Sequence, residues 1–348
     1  MNIYVLDTQY NTIGIVDGYS SVIWTRRYQD AGDFEIYISA SKYVIGLLQV
    51  DNVLIRDDDD MVCVIEKVTL GTNAESGDYL TVTGRSIESV LDRRIVWSQT
   101  TLNATAETAI RQLLTENAIS PANASRKIPS LCLGQANGFS ETLEKQITGE
   151  NLLESIKNIC ATYEYGFKIT LNNRNLIFDL YKGTDRSTNQ SENPFVVFSD
   201  DFDNMVSSQY AYDKTNLKNV ALVAGEGEGK DRKTQTVGDA AGLYRRETYI
   251  DARDVSSNDG EIAEADYNAL LIDRGEESLS GLAETVAFSA EVGNTKLYAY
   301  KTHFFVGDIV QVENSFGIAA ACRISEVVEC EDENGYTCLP TFENWEVL

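Results

Sequence analysis

The chain has 348 residues, 43% hydrophobic and 24% charged, which is ordinary globular usage with enough apolar surface for two or three domains. Its 29 Lys and Arg stand against 54 Asp and Glu, a formal net charge of −25. Bulk attraction to DNA or to an anionic membrane is thereby excluded, and the charge fits either a plain acidic protein or a surface that DNA passes without sticking.

The opening Met1-Asn2-Ile3-Tyr4-Val5-Leu6-Asp7 reads as a strand, because it lacks the basic region and apolar run of a signal peptide. No stretch approaches the roughly 20 apolar residues of a membrane span. Folding in a cytoplasm is expected. Cys63, Cys132, Cys160, Cys322, Cys330 and Cys338 sit mostly among apolar neighbours and are expected as buried small hydrophobes rather than disulfides.

Residues 1–97 read as a first β domain with a terminal helix; its short strands and regular turns suggest a small barrel or sandwich, taken as a β-barrel domain. Ile3–Leu6 and Thr12–Val16 flank a turn. Val22, Ile23 and Trp24 end a strand, followed by the polar and aromatic cluster Arg26-Arg27-Tyr28. Asp30-Ala31-Gly32-Asp33 supplies turn chemistry, and Phe34, Ile36 and Ile38 then alternate with Glu35 and Tyr37. Val53–Arg56 and Met61–Val68 flank Asp57–Asp60, expected as a solvated hairpin turn, and Tyr79–Thr83 follows. Ser86 is expected to cap a helix carrying Ile87, Val90 and Leu91 on one face, closing one barrel end.

Residues 98–190 change period and read as an α+β domain. Thr105 is placed to cap a helix with Ala109, Ile110, Leu113 and Leu114 on one face, and Thr148 to cap another with Leu152, Leu153, Ile156, Ile159 and Cys160. Phe167, Ile169 and Leu171, then Asn172–Asn175, then Leu176, Phe178 and Leu180 spell a hairpin. Gly183–Asn193 is polar and turn-rich, a linker or exposed loop.

Residues 191–348 read as a second β-rich part with a helical insertion, the domains being allowed to be discontinuous. Strands are expected at Phe195–Ser199, Lys218–Val223, Val286–Val292, Lys296–Tyr300, Ile309–Val312, Ile318–Val328 and Tyr336–Phe342. Gly225–Gly238 reads as a mobile loop. Glu261–Asp273 reads as a helix with Gly275 in the C′ position. The fold class is α+β, mainly β.

Chemistry is hard to find. His303 is the one histidine, and it lies beside Phe304 and Phe305 with no nucleophile elbow near. Cys-x-x-Cys and His-Glu-x-x-His are absent, and Cys322, Cys330 and Cys338 recur at a spacing that suits core packing better than zinc. Asp57–Asp60 lacks the alternation and glycine of an EF-hand loop. Gly225–Lys230 departs from the phosphate loop, since Glu226 and Glu228 repel phosphate and Asp231 stands where Ser or Thr is needed. No catalytic residue, cofactor or metal ligand is assigned.

Five segments carry a resemblance: Trp24–Ile38; Gly84–Arg94 (GRSIESVLDRR); Tyr181–Arg186 (YKGTDR) running into Phe198-Ser199; Thr215–Gly229 with Arg245–Glu247 and Tyr249–Asp254; and Phe305–Val310 (FVGDIV). Their order and spacing resemble the bacteriophage tail hub proteins of the Gp37-like family, similar to contractile-phage baseplate hubs. The resemblance makes residues 191–348 a second β-barrel domain. It implies a homotrimer in the virion tail tip, made in the bacterial host cytoplasm, with two small barrels per chain forming a pseudo-sixfold ring under a hexameric tube. It implies contacts with the distal tail protein, the tape measure protein and tip or receptor-binding proteins, with DNA passing through the ring without specific binding. Arg26, Arg27, Asp33 and Glu35 are then candidates for inter-subunit or interdomain ion pairs. Related hubs carry a C-terminal peptidase or lysozyme-like extension. No such pattern occurs before Leu348, so any enzyme is expected on another chain. Two other readings stay open: a two-carboxylate cell-wall hydrolase, and a carbohydrate- or receptor-binding module using some of the 18 tyrosines.

Overall fold

The computed structural model describes residues 1–73, 77–292, 297–313, 316 and 319–347. Strand alternation builds the first part from β1 (Ile3–Leu6), β2 (Thr12–Val16), β3 (Tyr19–Arg27), β4 (Asp33–Ser39), the short helix α1 (Lys42–Leu47), β5 (Val53–Arg56), β6 (Cys63–Asn73) and β7 (Gly77–Ser86). They pair in the order β3-β4-β7-β6-β5-β1-β2. Phe34, Ile36 and Ile38 point into a core with Ile3, Val5, Val22, Trp24, Leu80 and Val82, while Glu35 stays exposed on the opposite face. The expected helix forms at Ile87–Arg93, as a 3-10 helix. Ser86 stands at its N-cap position as expected, but its hydroxyl makes no cap bond and instead accepts the Gly32 N–H at 2.8 Å, tying this turn to the β3–β4 loop.

The middle part holds β8 (Thr100–Thr105), α2 (Ala106–Leu114), β9 (Leu131–Leu133), β10 (Thr142–Ile147), α3 (Leu152–Thr162), β11 (Gly166–Asn172) and β12 (Asn175–Tyr181). Thr105 caps α2 by accepting the Thr108 N–H at 3.3 Å. Asn151, not Thr148, caps α3, since Gly149 at φ +74° redirects the chain first. The β11–β12 hairpin turns at Asn173 and Arg174, both left-handed (φ 48° and 64°). Leu102, Ile110, Leu152, Phe167 and Phe178 share one core with Leu6, Val64 and Leu91 of the first part.

The remainder comprises β13 (Asp185–Arg186), β14 (Val197–Ser199), β15 (Met205–Asp213), β16 (Val220–Ala224), β17 (Thr234–Val237), β18 (Glu247–Asp251), α4 (Glu264–Ser280), β19 (Thr285–Val292), β20 (Ile309–Glu313), β21 (Ala319–Asp332) and β22 (Gly335–Val347). Two expectations fail here and one holds in part. Gly183–Asn193 is an exposed loop at Thr188, Asn189, Ser191 and Glu192, but Asp185 and Arg186 pair in parallel with Ile309 and Val310, and Ser187 is buried. Gly225–Gly238, expected as a loop throughout, contributes β17 to a sheet with β16 and β18. Gly275 sits inside α4, because only a residue without a side chain lets the helix lie against Val223 and Val237; Gly281 occupies the C-cap. Lys296 and Ile318, at the starts of two expected strands, lie outside the described residues. Of the first of these, Tyr300 makes only an isolated bridge to Phe304.

The two ends of the chain meet in β21. Its first half pairs with β20, from Ile309↔Arg323 to Glu313↔Ala319. Its second half pairs with β3, from Glu326↔Arg27 to Asp332↔Ser21, and β22 runs along the other side. One sheet therefore extends from β15 through β21 and β3 to β2. The chain is mainly β with helices, as expected. Among the described residues its pairings follow an open path rather than a closed barrel.

Candidate functional site at the junction of the three parts

Strand period determines which charges are buried at this junction. Arg26 follows Val22 and Trp24 on the inward face of β3, and Arg56 follows Leu54 on the inward face of β5. Each inward guanidinium needs counter-charge to remain ionised. Arg26 pairs with Asp59, and with Asp60 at 2.5 Å. Lys301 bridges Asp59 (2.6 Å) and Glu329 (2.9 Å). Arg56 pairs with Glu329 at 3.0 Å and Asp58 at 2.6 Å, and its guanidinium lies 5.5 Å from the Trp24 ring centre. Lys168 of β11 reaches Asp60 at 2.7 Å, and the Tyr336 hydroxyl donates to Glu329 at 2.9 Å. Arg26, Arg56, Lys168 and Lys301 thus balance Asp58, Asp59, Asp60 and Glu329, drawn from all three parts of the chain.

Burial alone would push the Asp59 carboxyl up, but Arg26 and Lys301 outweigh it and hold it at about 2. Burial likewise opposes the Arg26 charge, and Asp59, Tyr300 and Asp60 overcome that penalty. Glu88 is the exception: burial raises it, while its Oε1 accepts the Ile169 N–H at 2.6 Å and joins the first part to β11.

Beside this network runs a cleft of about 500 Å³ lined by Arg26, Asp59, Lys168, Tyr181, Arg186 and Lys301. Asp308 closes its far wall, accepting the Thr184 N–H (2.8 Å), the Arg186 Nε–H (2.8 Å) and the Phe305 N–H (3.0 Å). Tyr28 anchors the core beneath. Its ring meets Tyr181 edge-on at 5.3 Å, Arg323 stacks on it at 5.2 Å, and its hydroxyl donates to the Glu164 carbonyl at 2.9 Å. A Cβ on Gly166 or Gly307 would lie 2.2 or 2.4 Å from the Tyr28 ring, so both glycines are needed for this approach. The segments Trp24–Ile38, Tyr181–Arg186 and Phe305–Val310, far apart in sequence, converge here.

Of the residues singled out from sequence, Arg27 and Asp33 meet at 2.6 Å, and Arg27 also reaches Glu326 across β3 and β21 at 2.6 Å. Arg26 faces the opposite side of β3 and enters the buried network. Glu35 is exposed on β4. Asp57–Asp60 forms the expected turn with Asp57, Asp58 and Asp60 exposed, but its Asp59 is not solvated, since that side chain is 1% exposed. Asp59, Arg56, Lys301 and Glu329 were missed. The inward register of Arg26 and Arg56 was the available signal, but their partners lie up to 273 residues away.

The arrangement holds the three parts of the chain together. Its carboxylates are paired with cations, and the His303 Nδ1 is occupied in accepting the Ala299 N–H at 2.8 Å. Among the described residues no group of His, Cys, Asp and Glu is placed to hold a metal ion. Cys63, Cys160, Cys322 and Cys338 are buried, Cys132 and Cys330 partly so, and all are free thiols.

Solved structures share this fold. A tail protein from Neisseria meningitidis MC58 is 13% identical, with a TM-score of 0.59, covering 98% of this chain and 96% of that one. The 43 kDa tail protein of prophage MuSo2 from Shewanella oneidensis is 13% identical, with a TM-score of 0.59 and 98% of each chain covered. Prophage tail protein gp18 from Listeria monocytogenes EGD-e is 15% identical, with a TM-score of 0.53, covering 99% of this chain and 94% of that one. No curated protein sequence matches. The match that spans the first part, the middle part and the C-terminal strands alike, over residues 2–342, places the chain in the Siphovirus ReqiPepy6 Gp37-like protein family.

Proposed function

We propose that this chain is the structural hub of a phage tail tip, a homotrimer joining the tail tube to the tip apparatus around the DNA exit path. The observation that carries this reading is the family match over residues 2–342, with a fold shared end to end with phage tail proteins. The β3–β21 pairing and the balanced ion network support it, because a ring built from two β units per chain needs those units fixed to each other. The domains at 1–97, 98–190 and 191–348 would then be two curled β units and an α+β unit packed between them. Among the described residues β2 and β15 end the sheet with unpaired edges, and such edges accept a neighbour's strand. Arg27, Asp33 and the exposed Glu35 lie near enough to the surface to serve subunit contacts. The net charge of −25 suits a channel that phosphates pass without binding.

In this reading the chain carries no catalysis, contacts the distal tail protein, the tape measure protein and tip proteins, and resides in the virion. Light scattering of the purified chain, followed by negative-stain imaging, tests the ring. A trimer with a central hole supports the hub. A monomer that stays monomeric when mixed with its tube protein overturns it. Digestion of purified peptidoglycan, abolished by changing one carboxylate, would establish the hydrolase reading instead.

A further inference from the structure

A second cleft, of about 590 Å³, lies between the first part and the middle part, away from the junction network. Its floor is apolar, with Val64, Ile87 and Leu176, and its rim carries Arg93, Arg94 and Arg174. Arg94 and Arg174 stand apart by what they bind. Most arginines of the chain sit on carboxylates, as Arg26, Arg27, Arg56, Arg85, Arg186 and Arg274 do. Arg94 instead donates to the carbonyls of Arg126 (2.6 Å) and Arg93 (2.8 Å). Arg174 donates to the amide oxygen of Asn11. Among the described residues Arg93 reaches one carboxylate, Asp51 of the same cleft, at the long distance of 4.0 Å. Asp7, whose charge Arg174 also feels, is taken up by the N–H groups of Gln9 and Asn11.

The cationic surface continues past the rim. Arg126 donates to the Ile95 carbonyl at 2.6 Å, lies 5.0 Å over the Trp97 ring, and is held below its usual pKa by burial and by neighbouring Arg94. Lys127 is exposed beside it, and Trp97 is 66% exposed. Backbone and amide oxygens fix the geometry of these guanidinium groups without cancelling their charge. In a chain of net charge −25, this is a pre-arranged set of cations around an apolar pocket, bordered by an exposed tryptophan. Arg and Trp are the residues that dominate binding surfaces.

We propose that this cleft docks an acidic segment of another polypeptide, with an apolar side chain in the pocket and carboxylates on Arg93, Arg94, Arg174 and Arg126. Charge complementarity selects an anionic occupant, and the apolar floor selects a peptide over a nucleic acid. A short segment also responds mainly to the local cations, whereas the whole acidic chain repels a long polyanion. The inference does not rest on the trimeric hub.

The test is fluorescence anisotropy of the full chain with a labelled ten-residue peptide of glutamates around one central leucine. Its glutamine counterpart and a single-stranded DNA of equal charge are the comparisons. The glutamate peptide is expected to bind at least about tenfold more tightly than the glutamine one, and to weaken as salt rises. Arg93→Gln and Arg174→Gln are each expected to lower affinity about two- to fivefold with the melting temperature unchanged. Equal affinity for both peptides, no binding, preference for DNA, or indifference to both substitutions overturns the proposal. So does a concentration-dependent mass in light scattering that these substitutions abolish, because the occupant would then be a second copy of this chain.

Discussion

Gly183 and Gly307 lie back to back, and a Cβ built on Gly183 would sit 1.8 Å from the Gly307 carbonyl oxygen. Gly307 itself has φ +96° and faces the Tyr28 ring. Backbone meets backbone here, so no side-chain rotation can relieve an added methyl. Gly183→Ala is expected to destabilise the fold by about 1–3 kcal/mol in urea unfolding. An unchanged midpoint would mean that the β13 segment is not pinned to β20 as described.

Asp59 and Asp60 both contact Arg26, yet their side chains are 1% and 50% exposed. Removing the buried charge leaves Arg26 and Lys301 undercompensated, whereas water can replace Asp60. Asp59→Asn is therefore expected to cost about 3–5 kcal/mol and Asp60→Asn at most about 1 kcal/mol. Equal losses in denaturant titrations would contradict the assignment of Asp59 as the central anion.

Asp273 in α4 is pushed up to about 6 by burial and by Glu276 and Glu144. Its folded pKa exceeds the unfolded one, so its protonated form favours folding at low pH and that benefit is lost as pH rises through about 6. Asp273→Asn should raise stability at pH 8, by about 1 kcal/mol after discounting for solvent screening, and change little below about pH 4. Asp59 has the opposite sign: its contribution is present above the ordinary carboxylate pKa and is lost as pH falls toward about 2. Thermal melts of the wild type and both asparagine variants across pH separate the two.

Gly275 reverses a common expectation. In an exposed helix Gly→Ala gains about 1 kcal/mol, but a Cβ here would lie 2.5 Å from Val237 and 2.8 Å from Val223. Gly275→Ala is expected to lose about 1–3 kcal/mol, with partial recovery when Val237→Ala makes room. A stabilised single variant would show that α4 can move off its sheet.

Local pattern made part of this legible. Alternation marked β4, the Asn-rich turn marked the β11–β12 hairpin, and Thr105 marked the start of α2. What stayed hidden depends on distant partners. Thr184–Arg186 are polar where Asp308 and β20 satisfy their groups, and composition alone cannot distinguish that from solvent. The burial of Asp59 within its exposed turn stayed hidden because nothing nearby announces that Lys301 arrives from the far end of the chain. Gly275 was misplaced for the same reason, since the valines it accommodates belong to other elements.

The β3–β21 ladder also dictates when this protein can be finished. Arg27 grips Glu326 across 299 positions, so on the ribosome β3 emerges long before its partner exists. Until β21 is made, β3 offers an open edge to any other strand, and the late closure of so long a loop slows folding. Only a chain translated through β21 can lock its two ends together, so one whose synthesis stops short of it keeps β3 unpaired on that side.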